Sequence, residues 1–328
     1  MLLISESDVK KALAMDDVIE AVMAAYRDYS EELIDVPSRV NMQVRGEGDA
    51  AIFLTANYHS VPFYGIKQAS SFPSNINKGK STVMSDIHLY SADTGELLAM
   101  VSANYLTAMK TGAASAVATK FFAKEGDAIL AIIGTGVQAR TQLAGIQRVR
   151  PLKEVRVYDL DKQKVKHFIE YTETIKNRNY TTQTADAAND CVRGADIVTT
   201  TTTSTTPVFA GDYISEGTHI NAVGSFTPYM QEIDSKTVVR ANKIVTDNHE
   251  ETWMVAGDLL VPLKQGEITS SKLYGELGDI VTGKIPGREN EKEITIYESV
   301  GFAALDIAVA VAAYKKSLKL GVGSKVDW

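Results

Sequence analysis

The chain is poor in cysteine, proline and tryptophan, with 1, 8 and 2 in 328 residues. The single thiol, Cys191, cannot form an internal disulfide, and one thiol cannot build a cysteine-based zinc site. Cys191 reads as part of a polar helix end with nothing beside it to activate a nucleophile. The five histidines (His59, His88, His167, His219, His249) are scattered, without the i, i+4 pair of a helical metal site. His88, in Asp86-Ile-His-Leu-Tyr90, reads as a packed or surface residue. No Gly-x-Ser-x-Gly elbow occurs, and the lone Asp93-Thr-Gly95 is explained by turn chemistry. Positive charge is the scarcer sign: 34 Lys and Arg against 41 Asp and Glu give a net charge of −7. With no dense basic run, nothing invites nucleic acid. No apolar run approaches the roughly 18 residues of a membrane span. The opening Met1-Leu-Leu-Ile-Ser-Glu has no basic stretch ahead of its apolar residues, so no secretory signal is expected. A cytoplasmic protein is the expectation.

What is present is ordinary globular material: 45% apolar and 23% charged residues, enough for a core and a length of about two domains. Residues 5–33 read as helical. Ser5 and Asp8 have capping-box spacing, and Asp16 offers a second N-cap. Val18, Ile19, Val22, Met23, Tyr26 and Tyr29 then recur at helical spacing. Between Val36 and Met100 short strand-like runs take over: Ile52–Leu54, Tyr64–Lys67, Met84–Tyr90 and Leu97–Val101. A turn signal at 91–96 joins the last two. An antiparallel sheet behind an N-terminal helix is the simplest reading. Asn104–Ala123 is helical again and rich in Ala.

From Ala128 the pattern becomes strand, glycine turn, helix, strand. Ala128–Ile133 is a continuous apolar run of the kind buried on both faces of a parallel sheet. Val155–Tyr158, Ile197–Thr203, Ile220–Val223 and Lys243–Thr246 repeat it, which predicts a doubly wound α/β domain. The threonine-rich 199–206 stretch reads as a strand end running into a polar loop. After Ile294–Tyr297 a final amphipathic helix spans 302–319.

The strongest local signal is Gly134-Thr135-Gly136-Val137-Gln138-Ala139, between an apolar strand and a helix predicted over 137–149. Gly134 makes the tight turn, Gly136 lets a pyrophosphate approach the backbone, and Ala139 lets the helix close on the strand. The helix start then offers N–H groups and a favourable dipole to the phosphates. Asp159 ends the next strand, 25 residues after Gly134. A carboxylate there accepts from ribose hydroxyls and repels a 2′-phosphate, which favours NAD(H) over NADP(H).

Further segments complete the picture: Pro37-Ser-Arg39, Gly65-Ile-Lys67, Asp93-Thr-Gly-Glu-Leu-Leu-Ala99 and Leu106-Thr-Ala-Met-Lys-Thr-Gly112. They continue as Gly134 to Arg140, Ile220-Asn-Ala-Val-Gly224, Glu276-Leu-Gly278 and Ser299-Val-Gly301. Together they resemble the ornithine cyclodeaminase/mu-crystallin family across essentially the whole chain. The resemblance implies a Rossmann-type doubly wound domain (116–301) inserted into an α+β substrate and dimerisation domain (1–115 with 302–328), and a homodimer. It implies Arg39 and Lys67 as substrate-binding residues, with Lys67 also catalytic, although alone each reads as a solvated charge. Val223, Ser299 and Gly301 join the six residues of the glycine loop and Asp159 as cofactor-binding. A lysine flanked by Arg39 and Lys110 would feel two like charges, which lowers its pKa.

Two departures from the family pattern bear on function. Lys110, which the resemblance implies as a third substrate-binding residue helping Arg39 hold a carboxylate, stands where most members carry arginine, keeping the charge but losing the planar fork. Phe226 stands where cyclodeaminases place an aspartate that acts as a base, and a phenyl ring cannot take a proton. The first expectation is therefore an NAD(H)-dependent oxidoreductase acting at C2 of a small amino or imino acid, of ketimine reductase or alanine dehydrogenase type. An ornithine cyclodeaminase is the second, and a non-catalytic nucleotide-binding protein of mu-crystallin type the third. No metal is expected.

Overall fold

At the N-terminus the capping box closes as the spacing predicts. The Ser5 side chain accepts from the Asp8 N–H and the Asp8 carboxylate accepts from the Ser5 N–H. The computed structural model describes residues 1–45 and 48–327. The helical stretch is two helices, Glu6–Ala12 and Met15–Ser30, because Leu13 and Ala14 are extended. The second N-cap is Ala14, not Asp16. Asp17, one turn in, accepts from the Ala14 N–H at 3.0 Å.

The chain divides into two units, Met1–Lys110 with Phe302–Trp328, and Thr111–Gly301. In the first, eight strands among the described residues form one sheet. Its order is Ser324–Lys325, Leu2–Ile4, Leu97–Ser102, Val83–Ser91, Phe63–Ser71, Ala50–Tyr58 and Ile34–Asp35, with Val40–Gln43 also on Ala50–Tyr58. All pairs are antiparallel except Leu2–Ile4 with Leu97–Ser102, which is parallel. The final helix, Ala303–Leu320, packs on the sheet beside Met15–Ser30. The Tyr58 hydroxyl donates to Ala304 O at 2.6 Å. At 91–95 the Ser91 Oγ accepts from the Asp93 and Thr94 N–H groups and Gly95 takes φ +75°, as turn chemistry requires.

The second unit is a doubly wound sheet with every pair parallel. Its order is Thr181–Thr184, Leu152–Tyr158, Ala128–Ile133, Ile197–Thr200, His219–Ala222, Thr295–Glu298, Lys243–Thr246 and Gly275–Glu276. The strand at Ile197 stops at Thr200, short of Thr203. The reason is tertiary: the Thr202 N–H leaves the ladder for the Glu232 carboxylate, and the Thr201 hydroxyl donates to Gly134 O. Cys191 lies inside the core rather than at a polar helix end, and burial pushes its thiol up to about 12. Among the described residues no helix is long and apolar enough to cross a membrane, and no group of three or more His, Cys, Asp or Glu is arranged to hold a metal ion.

Candidate active site

In the second unit the strand Ala128–Ile133 runs into Gly134, whose φ of +88° suits glycine. A Cβ there would also stand 2.9 Å from Thr201 O. At Gly136 the reverse holds, since nothing lies within 4 Å of where a Cβ would be. The loop is therefore open at the position where a pyrophosphate must approach. Gly136 caps the helix Val137–Val149 with no side-chain bond, which leaves first-turn N–H groups for an anion. Val137 is exposed, Gln138 half-buried and Ala139 fully buried against the strand core.

Asp159 follows the strand Leu152–Tyr158. Its Oδ2 accepts from the Thr135 N–H at 2.7 Å and the Thr135 hydroxyl at 3.1 Å, and its Oδ1 accepts from the Asp161 N–H at 2.9 Å. A carboxylate has roughly four acceptor sites, so this one ties down the glycine loop and keeps capacity for a ribose hydroxyl. Gly134, Gly136 and Asp159 line a cavity of about 640 Å³. It lies where the strand order reverses, between Ala128–Ile133 and Ile197–Thr200, which is where doubly wound sheets bind nucleotides. The open cradle, the uncapped helix start and the acid fit NAD(H). The opposite wall is Thr201, Thr202, Thr203, Ser204 and Thr206, which the sequence reading takes only as a polar loop. Short hydroxyl side chains just past a strand's C-terminal end are the signal that could have marked them.

Val223, Ser299 and Gly301 follow the strands His219–Ala222 and Thr295–Glu298 and do not line that cavity. Ser299 and Gly301 belong to a buried polar network around Asp247. Asp247 Oδ2 accepts from the Ser299 hydroxyl at 3.2 Å and the Gly301 N–H at 2.7 Å. Glu232 likewise accepts from the Thr202 and Gly224 N–H groups at 2.5 and 2.6 Å. Neither Asp247 nor Glu232 is visible as functional in the sequence.

In the first unit Lys67 and Lys110 converge on one carboxylate. Alternation along Phe63–Ser71 puts Lys67 on the face covered by the final helix. Gly65, two residues earlier on that face, lets the helix close in: a Cβ there would stand 2.7 Å from Ile307 Cδ1 and 2.9 Å from His88 O. The neighbouring Asp306 thereby meets Lys67 Nζ with Oδ1 at 3.0 Å and Lys110 Nζ with Oδ2 at 2.9 Å. The three are 6%, 4% and 1% exposed. Burial pushes the Lys67 ammonium below the ordinary lysine range; Asp306 pulls it back up, and Lys110 and Arg39 push it down. The direction matches the sequence argument, but burial outweighs like charge as the cause. Burial raises Asp306, yet Lys110 and Lys67 together hold it below the usual carboxylate range. Arg39 is half-buried ahead of Val40–Gln43. Nothing local in the sequence ties Asp306 to Lys67, although it is the only charge in the otherwise apolar run 303–313.

His88 is half-buried and pairs with Asp86 at 2.9 Å. Phe226 is 54% exposed, in the loop after Gly224.

Comparison with known proteins places the whole chain. The model of the ornithine cyclodeaminase/mu-crystallin family matches residues 1–320. The chain is 37% identical to the Delta(1)-pyrroline-2-carboxylate reductase of Bacillus cereus over 100% of both chains. The structure of Thermococcus litoralis Delta(1)-pyrroline-2-carboxylate reductase in complex with NADH and L-proline matches with a TM-score of 0.95 at 38% identity. That match covers 99% of this chain and 100% of that one. An archaeal alanine dehydrogenase dimer with bound NAD matches with a TM-score of 0.93 at 34% identity, over 100% and 99%. A glycine loop with its acid, a buried lysine pair and these full-length matches lead to one assignment: the chain belongs to the ornithine cyclodeaminase/mu-crystallin family.

Proposed function

We propose that this NAD(H)-dependent oxidoreductase reduces a small cyclic ketimino acid, Δ1-pyrroline-2-carboxylate, to proline, and that it works as a cytoplasmic homodimer. The observation that carries the reading is the buried charge arrangement of the first unit: two lysine ammoniums share a single carboxylate. A buried excess of one positive charge is unfavourable until an anion joins it, and the substrate carboxylate is that anion. Arg39 adds a guanidinium, which suits bidentate capture of a carboxylate.

In the reduction C2 gains a hydride and the ring nitrogen gains a proton, so the C=N double bond becomes a CH–NH single bond. NADH, when bound, supplies the hydride and becomes NAD+. Lys67 supplies the proton: one Nζ–H bond breaks as the substrate N–H forms, and the neutral amine takes a proton back from water. The burial that lowers its pKa makes the ammonium a readier donor near neutral pH. Lys110 and Arg39 hold the carboxylate and so fix which carbon is presented. Phe226 weighs against the lyase reading, because at its position a cyclodeaminase needs a proton-accepting carboxylate. The dehydrogenase relative supports the wider class, reaction at C2 of a small amino or imino acid.

The test is a panel of pyrroline-2-carboxylate, pyruvate with ammonia, and ornithine, following both NADH absorbance and released ammonia. NADH consumption with the cyclic imine is expected. Ammonia and proline from ornithine with no net cofactor change would replace this reading with the lyase one. A mass measurement giving a stable monomer at micromolar concentration would remove the dimer.

A further inference from the structure

We propose that Asp306 is a positioning residue: by holding Lys67 on one oxygen and Lys110 on the other, it keeps Lys67 charged and aimed at the substrate nitrogen while Lys110 is held apart to meet the carboxylate. The inference rests on the function proposed above and extends it to a residue that never needs to touch substrate.

The geometry carries the argument. Asp306 lies in a helix whose neighbours from Ala303 to Ala313 are apolar, and it is 1% exposed. A lone carboxylate there would be very unfavourable, so its two ammonium partners at 3.0 and 2.9 Å are a condition of its burial. The converse holds for the lysines. Two buried ammoniums meeting at one site repel each other, and a carboxylate between them is what lets both stay charged. Each lysine is tied to a different oxygen, so the pair has a fixed direction rather than a shared, exchangeable partner. Close helix–strand approach at Gly65 sets the distance.

The groups facing Lys67 can be named element by element. Asp306 comes from the final helix, Lys110 from Asn104–Phe122 and Arg39 from the segment before Val40–Gln43. The neighbouring strand Ala50–Tyr58 presents Leu54 in register with Lys67. Its Tyr58 acts on Asp306 instead, with a hydroxyl pushed well up by burial, then by Asp28 and Asp306, so that it stays neutral. The strand Val83–Ser91 presents Ile87 in register. Asp306 is thus the one anion of this set that opposes burial, Lys110 and Arg39. Removing it should lower the pH at which Lys67 loses its proton, and removing Lys110 should raise it.

The test reads Lys67 directly. In protein carrying ¹³Cε-lysine, the Lys67 signal is assigned by its loss in Lys67→Arg and titrated in wild type, Asp306→Asn and Lys110→Gln. The pH profile of kcat/KM is recorded in parallel. A downward move for Asp306→Asn and an upward move for Lys110→Gln, each of roughly one pH unit or more, are expected in both readouts. Simple loosening of the fold would not give shifts of opposite sign. If Asp306→Asn does not fold, the Lys110→Gln shift alone decides. A Lys67 titration that stays put, or turnover whose alkaline limb ignores it, overturns the inference. Opposite NMR shifts in a protein that turns over no imine uphold the charge arrangement and overturn the proposed function instead.

Discussion

Lys67 carries two claims that one substitution separates. If it gives the proton to the substrate nitrogen, Lys67→Ala loses about 10²-fold or more in turnover, the usual scale for a general acid, while NADH affinity holds. Lys67→Arg should not rescue, because a guanidinium keeps its proton near neutral pH. Near-normal turnover in Lys67→Ala would reduce the lysine to a structural partner of Asp306. Asp159 makes a second claim at this scale. It holds Thr135 in place and would face the ribose, so Asp159→Ala should weaken NADH by roughly 10- to 100-fold, as loss of hydrogen bonds to a charged group implies. The preference over NADPH should narrow with it. A wild-type protein that binds NADPH better would remove Asp159 from the ribose. Asp159 was legible in the sequence, because a glycine loop fixes the spacing of its acid; Lys67 was legible only through the family resemblance, since alone it reads as a solvated charge. Asp306 was not, because it lies 239 residues from Lys67. Only folding brings them together.

At the scale of elements, the loop helix is placed by two glycines. Gly112, on Asn104–Phe122, and Gly145, on Val137–Val149, meet backbone to backbone: a Cβ at Gly112 would stand 2.2 Å from Thr141 O, and one at Gly145 2.3 Å from Gly112 O. Neither obstacle is a flexible side-chain end, so the helices must separate to admit a methyl. Gly145→Ala should therefore cost about 3 kcal/mol, at the upper end for overpacking, and lower Tm by roughly 5–10 °C. It should also weaken NADH, because the same helix begins at the phosphate cradle. An unchanged Tm in a thermal melt would show that the crossing adapts. The sequence named Gly112 within a motif without showing its reason, which is a crossing with a helix 33 residues on. The loop helix itself was readable to the residue, since a glycine cap and a strong apolar stripe are local signals. Leu2–Ile4 was not, because three residues become a strand only by pairing with Leu97–Ser102. The early stop at Thr200 was hidden likewise, because Glu232 takes the Thr202 N–H from across the fold.

For the molecule as a whole, the groups that titrate out of place predict how stability follows pH. His219 is fully buried between Thr295 and Asn221, and burial, then Arg288, holds it down at about 3. Its folded pKa lies below its unfolded one, so the stability it contributes is present above the ordinary histidine value of about 6.5 and fades as pH falls toward 3. Glu298 works in the other direction. It is fully buried, and neither oxygen has a hydrogen-bond partner among the described residues. Burial, then Asp258, Glu232 and Asp247, pushes its pKa well above the usual carboxylate range. Here the folded pKa exceeds the unfolded one, so stability is complete below the ordinary glutamate value of about 4.3 and is lost as pH rises through the folded value. Glu298→Gln replaces a proton that must be retained with an amide that has none to lose, at nearly the same volume. Its N–H groups can also donate toward the neighbouring acceptors. The variant should match wild type near pH 4–5 and gain on it at alkaline pH. The gain there should be about 1–3 kcal/mol, the scale of one unsatisfied buried group, or a few degrees in Tm. Melting both proteins across the pH range checks this. A difference that stays flat with pH would mean that Glu298 keeps its ordinary titration in the folded chain.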